Sequence, residues 1–209
     1  MAFITSLETF KDNLSNSLTV GVGSKATKLK LNFSETHSCV EIGKNSNLTD
    51  TEIFLGKGSK LIVGDNSVLK GKISIGSFST VIIGNKLSVT RNLYIRAVEQ
   101  TQVKIGDDCL IASNVIIRTN DGHPIYDIHT SERINQSQDV IIHDHVWLGD
   151  ESVILKGVTI HEGSIIAMRS LVTKDVQSCT VVAGIPAKTI RTDCTWEHDL
   201  KTKTERFYK

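Results

Sequence analysis

The sequence predicts an all-β parallel solenoid, a chain that climbs in triangular coils of short strands. Three observations predict it. Ile142, Leu148, Ile154, Ile160, Ile166 and Val172 are spaced six residues apart without a slip, a period that is neither the 3.6 of a helix nor the 2 of an ordinary strand. Four residues after each beat stands Val146, Ser152, Val158, Ser164, Ser170 or Val176, all small or β-branched, as an inward slot at a tight corner requires. Glycine or alanine follows the beat at Leu148-Gly149 and Ile166-Ala167, where a chain bends or approaches its neighbour closely.

Three hexads make one turn of a triangle, so residues 142–177 supply two coils. Each coil stacks its apolar positions on the coil below. The beat continues upstream, less regularly, through Ile105-Gly106, Ile111-Ala112 and Ile117. Ile42-Gly43, Val63-Gly64, Ile75-Gly76 and Ile83-Gly84 read as the same side of earlier coils. Residues 20–191 are therefore expected to form one solenoid with a degenerate N-terminal half, roughly eight coils at eighteen residues each. Residues 1–20 are expected to cap one end, and residues 192–209 to leave the repeat as a C-terminal tail covering the other.

Composition agrees and excludes other classes. Aromatic residues make up 5% of the chain and hydrophobic residues 39%, as suits a core of stacked aliphatic layers. The 209 residues suit one domain, and the 15 Gly with 2 Pro argue against disorder and collagen. A formal net charge of +1 gives no basic excess for nucleic acid. Glu8, Lys11 and Asp12 make the N-terminus too polar for a signal peptide. No stretch approaches the roughly 20 apolar residues of a membrane span. A cytoplasmic location, with thiols reduced, is the expectation. None of Cys39, Cys109, Cys179 and Cys194 forms a CxxC pair, and Cys109 falls in a small corner slot as a buried structural thiol.

The beat stops after Ile117 and resumes at Ile142. The intervening loop, 118–139, is polar, carries Gly122 and Pro124, and has no helical period. A solenoid accommodates such an insertion only by letting it project at a corner, and long ordered loops in compact repeats are usually functional. His123 lies between Gly122 and Pro124. A histidine held there is a candidate general base, its unperturbed pKa of about 6.5 lying near working pH. His143, His145 and His161 fall on positions expected to point outward.

The hexads, the loop residues Asp121-Gly122-His123-Pro124-Ile125-Tyr126, the segment from Val140 to Gly149, and Val182-Ala183-Gly184-Ile185-Pro186-Ala187-Lys188 resemble the left-handed β-helix, hexapeptide-repeat acetyltransferases. The resemblance covers residues 102–191 and is nearest to bacterial O-acetyltransferases of capsular polysaccharides, including those acting on polysialic acid. It implies the left hand of the coil, which the spacing does not show. It implies a homotrimer that binds acetyl-CoA between neighbouring solenoids and acetylates a glycan hydroxyl. The family's catalytic His and Trp, 24 residues apart, match His123 and Trp147. Its CoA-contacting positions match Asp150, Met168, Thr173, Lys174, Lys188 and Arg191, the three cations facing phosphate. The family commonly has Asn where this chain has Ile185. Asp121, Asp127 or a backbone carbonyl can orient the imidazole. No metal is implied: the zinc hydrases of this fold use two histidines five residues apart, a spacing absent here. A small-molecule acetyltransferase, for a free sugar, serine or an antibiotic, and a non-catalytic solenoid scaffold are the rival readings.

Overall fold

The computed structural model describes residues 2–201 and 203–208. They form a parallel β-solenoid of seven coils and part of an eighth. The first side of the triangle is one parallel sheet, running through Ser17–Val20, Cys39–Ile42, Lys60–Val63, Thr80–Ile83, Gln102–Ile105, Val140–Ile142 and Thr159–Ile160. The second and third sides run together where strands pass through a corner, as in Lys25–Phe33, Asn47–Leu55 and Val68–Ile75. They are separate short strands further on, as in Trp147–Leu148 and Val153–Ile154.

The six beat residues are all buried, and so are the six small corner residues. Each buried Ile or Leu contributes roughly 1.5–3 kcal/mol over its exposed state, and a coil supplies several. Eighteen residues per coil hold only in the C-terminal half, where Ile141 lies on Thr159 and Trp147 on Ile165. Ser17 lies on Cys39, Cys39 on Lys60, Lys60 on Thr80 and Thr80 on Gln102, steps of 22, 21, 20 and 22 residues. The cause is inward residues added in pairs: the first side of coil 3 buries both Leu61 and Val63, whereas that of coil 7 buries Ile160 alone. Ile53 and Leu55 widen the third side in the same way. Ile75 therefore lies on the third side, paired with Leu55 and Ala97, and not on the side of Ile42, Val63 and Ile83.

The corners stack in columns of left-handed residues. Asn45, Asn66, Lys86, Asp108 and His145, all with φ between 53° and 57°, follow one another up the first corner, and Gly163 (φ 68°) and Cys179 (φ 53°) continue the column. The N–H of each of the first five donates to the coil before it, for example Asp108 N to Asn85 O at 2.8 Å and His145 N to Asp107 O at 2.8 Å. The strain of φ > 0 in a non-glycine residue is thus offset by a hydrogen bond and by room outside the triangle. The glycine after each first-side beat has a different cause. A Cβ on Gly43 would sit 2.5 Å from the carbonyl carbon of Gly64, and one on Gly64 2.5 Å from that of Gly84. Only a residue without a side chain lets the coils stack there.

The ends are covered. Ala2–Ile4 pairs antiparallel with Lys25–Phe33, and Phe10–Lys11 with Ser17–Val20. At the other end Val181–Gly184 turns back as Ala187–Arg191. The chain then runs down the first corner as a strap. Cys194 N donates to Cys179 O at 3.1 Å, and further on the strap meets His145. This histidine does leave the triangle outward as expected, but it is not exposed: Trp196 and Phe207 cover both faces of its ring, with centroids at 4.4 and 4.8 Å, and leave it fully buried. Its Nδ1 meets Asp108 Oδ2 at 2.7 Å and its Nε2 meets Trp196 O at 2.8 Å, while Trp196 Nε1 donates to His145 O at 2.8 Å. His143 and His161 stack on each other outside the first side, centroids 5.1 Å apart. Cys109 is buried, and burial pushes its thiol up to about 12.

Candidate active site

The loop leaves the corner between the third and first sides of coil 5, after Ile116–Arg118, and the chain returns as Val140–Ile142. Asn135 is its internal clasp. Its Nδ2 donates to Asp121 Oδ2 and to His123 O, both at 2.9 Å, and its Oδ1 accepts from Ile125 N at 2.7 Å. Two ion pairs tie the loop to the coils on either side. Arg133 meets Glu99 of coil 4 at 2.9 Å, where Ser137 Oγ also donates at 2.7 Å. Asp121 meets Lys156 of coil 6. The His123 backbone is therefore fixed through its carbonyl. Its exposed ring has no hydrogen-bond partner among the described residues, so neither Asp121 nor Asp127 orients it.

These carboxylates give the loop an acid limit. The hydrogen bond from Lys156, then that from Asn135, holds the Asp121 carboxyl below its ordinary 3.8 against a modest burial effect. Those from Arg133 and Ser137 hold Glu99 below 4.5. Depressed carboxylates stabilise the folded loop above their unfolded values and lose that contribution as pH falls through the folded ones. Proteolytic resistance of the loop is thus expected to be flat from pH 7 down to about 5, and to fall below about 4. A loop cut equally fast at pH 7 and pH 3.5, after correction for protease activity, would contradict this.

Trp147 is the first outward residue of the second side in coil 6. It sits between Leu110 below and Ile165 above, with its N–H donating to Ser164 O at 3.0 Å. Trp147 is 37% exposed, and its ring lies 6.3 Å from the ring of Trp196 on the strap. In a triangular cross-section the corner carrying the loop faces away from the second side. One chain therefore does not bring His123 and Trp147 together.

The other candidates divide between the same two edges. Thr173 and Lys174, both exposed, follow the third-side strand Leu171–Val172 toward the loop's corner. Asp150 and Met168 stand at the corner where the second side ends. Met168 is 62% exposed, whereas Asp150 Oδ1 already accepts from Ser113 N at 2.9 Å. Lys188 and Arg191, both exposed, lie on the returning hairpin, opposite Ala183 and Val181, with Ile185-Pro186 in the turn between. Trp147, Asp150, Met168, Lys188 and Arg191 thus line one edge, and His123, Thr173 and Lys174 another. Sequence reasoning missed Asn135, Lys156 and Trp196, which hold the site together. Each is a single residue that reaches a group 12 to 51 positions away, His123 O for Asn135, Asp121 for Lys156 and His145 O for Trp196, beyond any local spacing signal.

Comparison with known proteins places this architecture. The family described as bacterial transferase hexapeptide (six repeats) matches residues 139–174. The polysialic acid O-acetyltransferase of Escherichia coli O1:K1 is 40% identical over 131 residues, 63% of this chain. This chain spans only 42% of that enzyme's length. The polysialic acid O-acetyltransferase of Neisseria meningitidis is 33% identical over 149 residues, 70% of this chain and 69% of that one. The crystal structure of the polysialic acid O-acetyltransferase OatWY superposes with a TM-score of 0.81 at 28% identity, over 90% of this chain and 92% of that one. The chain belongs to the hexapeptide-repeat acetyltransferases.

Proposed function

We propose that the protein transfers an acetyl group from acetyl-CoA to a hydroxyl of a bacterial capsular or surface polysaccharide that contains sialic acid. The observation that carries this reading is the interrupted coil. The loop fixes the backbone of His123 through its carbonyl and leaves its imidazole without a partner among the described residues, as a general base needs. Names of two relatives from different bacteria supply the acceptor class.

His123 accepts the proton of the acceptor hydroxyl as the oxygen attacks the thioester carbonyl. A hydroxyl is a poor nucleophile at neutral pH, so a placed base is worth roughly 10²–10⁴ in rate. The oxyanion of the tetrahedral intermediate needs hydrogen-bond donors, and the Trp147 indole N–H is one. Collapse of the intermediate expels the CoA thiolate, which takes the proton from His123. No protein nucleophile is needed, which agrees with the buried, hard-to-ionise thiol of Cys109.

Because His123 and Trp147 sit on different edges, the site takes two chains. In a homotrimer the loop of one solenoid faces the second side of its neighbour, and acetyl-CoA lies in the groove between them. Asp150, Met168, Thr173, Lys174, Lys188 and Arg191 line that groove, with Lys174, Lys188 and Arg191 meeting phosphate. Acetyl-CoA is an intracellular donor, so the reaction runs in the cytoplasm, before the glycan is exported. The test is to mix the protein with acetyl-CoA and a panel of acceptors and to follow thiol release. Turnover on sialic acid polymers supports the reading. Turnover on free sugars, serine or antibiotics but not on polymer overturns it.

A further inference from the structure

We propose that Arg96 and Arg118 form a carboxylate-binding subsite that seats an acidic sugar of the acceptor beside His123. This rests on the acetyl-transfer reading above and deepens it by assigning the residues that choose an acidic acceptor.

The two arginines are neighbours on the third side. Leu93–Ala97 pairs in register with Ile116–Arg118, which puts Arg96 directly on Arg118, both side chains outward and half-buried. Adjacent strands lie about 4.8 Å apart, so two like charges stacked this way repel. On other strands the solenoid sets opposite charges on neighbouring coils, as with Lys30 and Glu52 at 2.7 Å and Lys60 and Glu41 at 3.0 Å. Here it does not. The Arg96 guanidinium has no hydrogen bond or ion pair among the described residues, although the backbone carbonyl accepts from Thr119 N at 3.0 Å. Arg118 Nε is shut off from solvent with no partner. The carboxylate that feels Arg118 is Asp121, and that group is already held by Lys156 and Asn135. An unpaired donor without water is costly to keep and points to a ligand that supplies the acceptor. Guanidinium forks match a carboxylate in geometry as well as charge.

The surroundings suit a sugar. Asn120 Oδ1, two residues beyond Arg118, is also buried without a partner and can accept from a hydroxyl or an amide N–H. A Cβ on Gly122 would lie 3.3 Å from Arg118 Nη2, so the loop closes over the guanidinium one residue before His123. Tyr94, two residues before Arg96 on the same face, offers a flat ring to the apolar face of a pyranose. A carboxylate held by the arginines places the hydroxyls of the same or the next sugar near the imidazole.

The experiment compares Arg96→Gln and Arg118→Gln with the parent on two acceptors, a sialic acid oligomer and the same oligomer with its carboxyls methyl-esterified. Binding of each oligomer is also measured by calorimetry. The parent is expected to favour the free acid. Each variant is expected to raise the acceptor KM for the free acid by about 10–100-fold, to hold the acetyl-CoA KM, and to lose the preference over the ester. Partial rescue by Arg96→Lys supports a charge role. Variants that lose equally on both acceptors, or that keep the preference, overturn the subsite while leaving the acetyl-transfer reading intact. A parent that neither binds nor acetylates the free acid overturns both. Unfolding temperatures equal to the parent's identify the losses as binding losses.

Discussion

Replacing His123 by alanine is expected to slow acetyl transfer by about 10²–10⁴-fold while leaving the protein folded. Both halves follow from the loop. The ring makes no hydrogen bond among the described residues, and the loop's backbone is held by Asn135, Arg133 and Asp121 through contacts that do not include the imidazole. Truncation therefore removes a base without loosening its mount. The loss is expected in kcat, with the acetyl-CoA KM and the unfolding temperature held near the parent's. His123→Ala turning over as fast as the parent would falsify the mechanism. Asn135→Ala makes the complementary case. It deletes the clasp and should cut activity while raising proteolysis of the loop, so mount and base can be told apart.

The second large effect is structural. His145→Ala is expected to release the C-terminal strap. Removing the ring leaves the Asp108 carboxylate without one of its two histidine donors and the Trp196 carbonyl without its own. Burial works against the ionised form of Asp108, yet the hydrogen bonds from His145 and His198 outweigh it and keep that carboxyl below its ordinary value. The substitution also opens a gap between Trp196 and Phe207. Leaving a buried partner unsatisfied costs about 1–3 kcal/mol, and the missing ring adds to it, enough to undock a terminal segment. Trp196 is 6% exposed when docked, so its fluorescence should shift to the red and trypsin should cut the released strap faster. Protection and emission unchanged from the parent would contradict the role given to His145. Because Trp196 lies beside Trp147, the variant should also lose activity.

The C-terminal coils were readable because each of their sides carries one inward aliphatic residue and one small corner residue, so period and structure coincide. The N-terminal coils obscured the period because two of their sides carry a second inward residue, as at Leu61 and Val63. That lengthens the coil without breaking the stack, and it led Ile75 to be assigned to the wrong side. His123 was legible because an interruption is conspicuous against a strict beat. Arg96 and Arg118 were not. Each is an ordinary outward cation in its own strand, and only the register places one on the other. His145 was placed outward correctly, but its cover comes from Trp196, 51 positions later.

The loop and the strap do more than serve a reaction. In a stack where each rung touches only the rungs beside it, unwinding can start at an open end and travel. The loop's ion pairs join coils 4, 5 and 6, and the strap joins coils 5, 6 and 8, through Asp108, His145 and Cys179. Together they rivet the C-terminal five layers into one block. The first three coils have no such cross-brace among the described residues, so the column should peel from the N-terminal end and stop short of the chemistry.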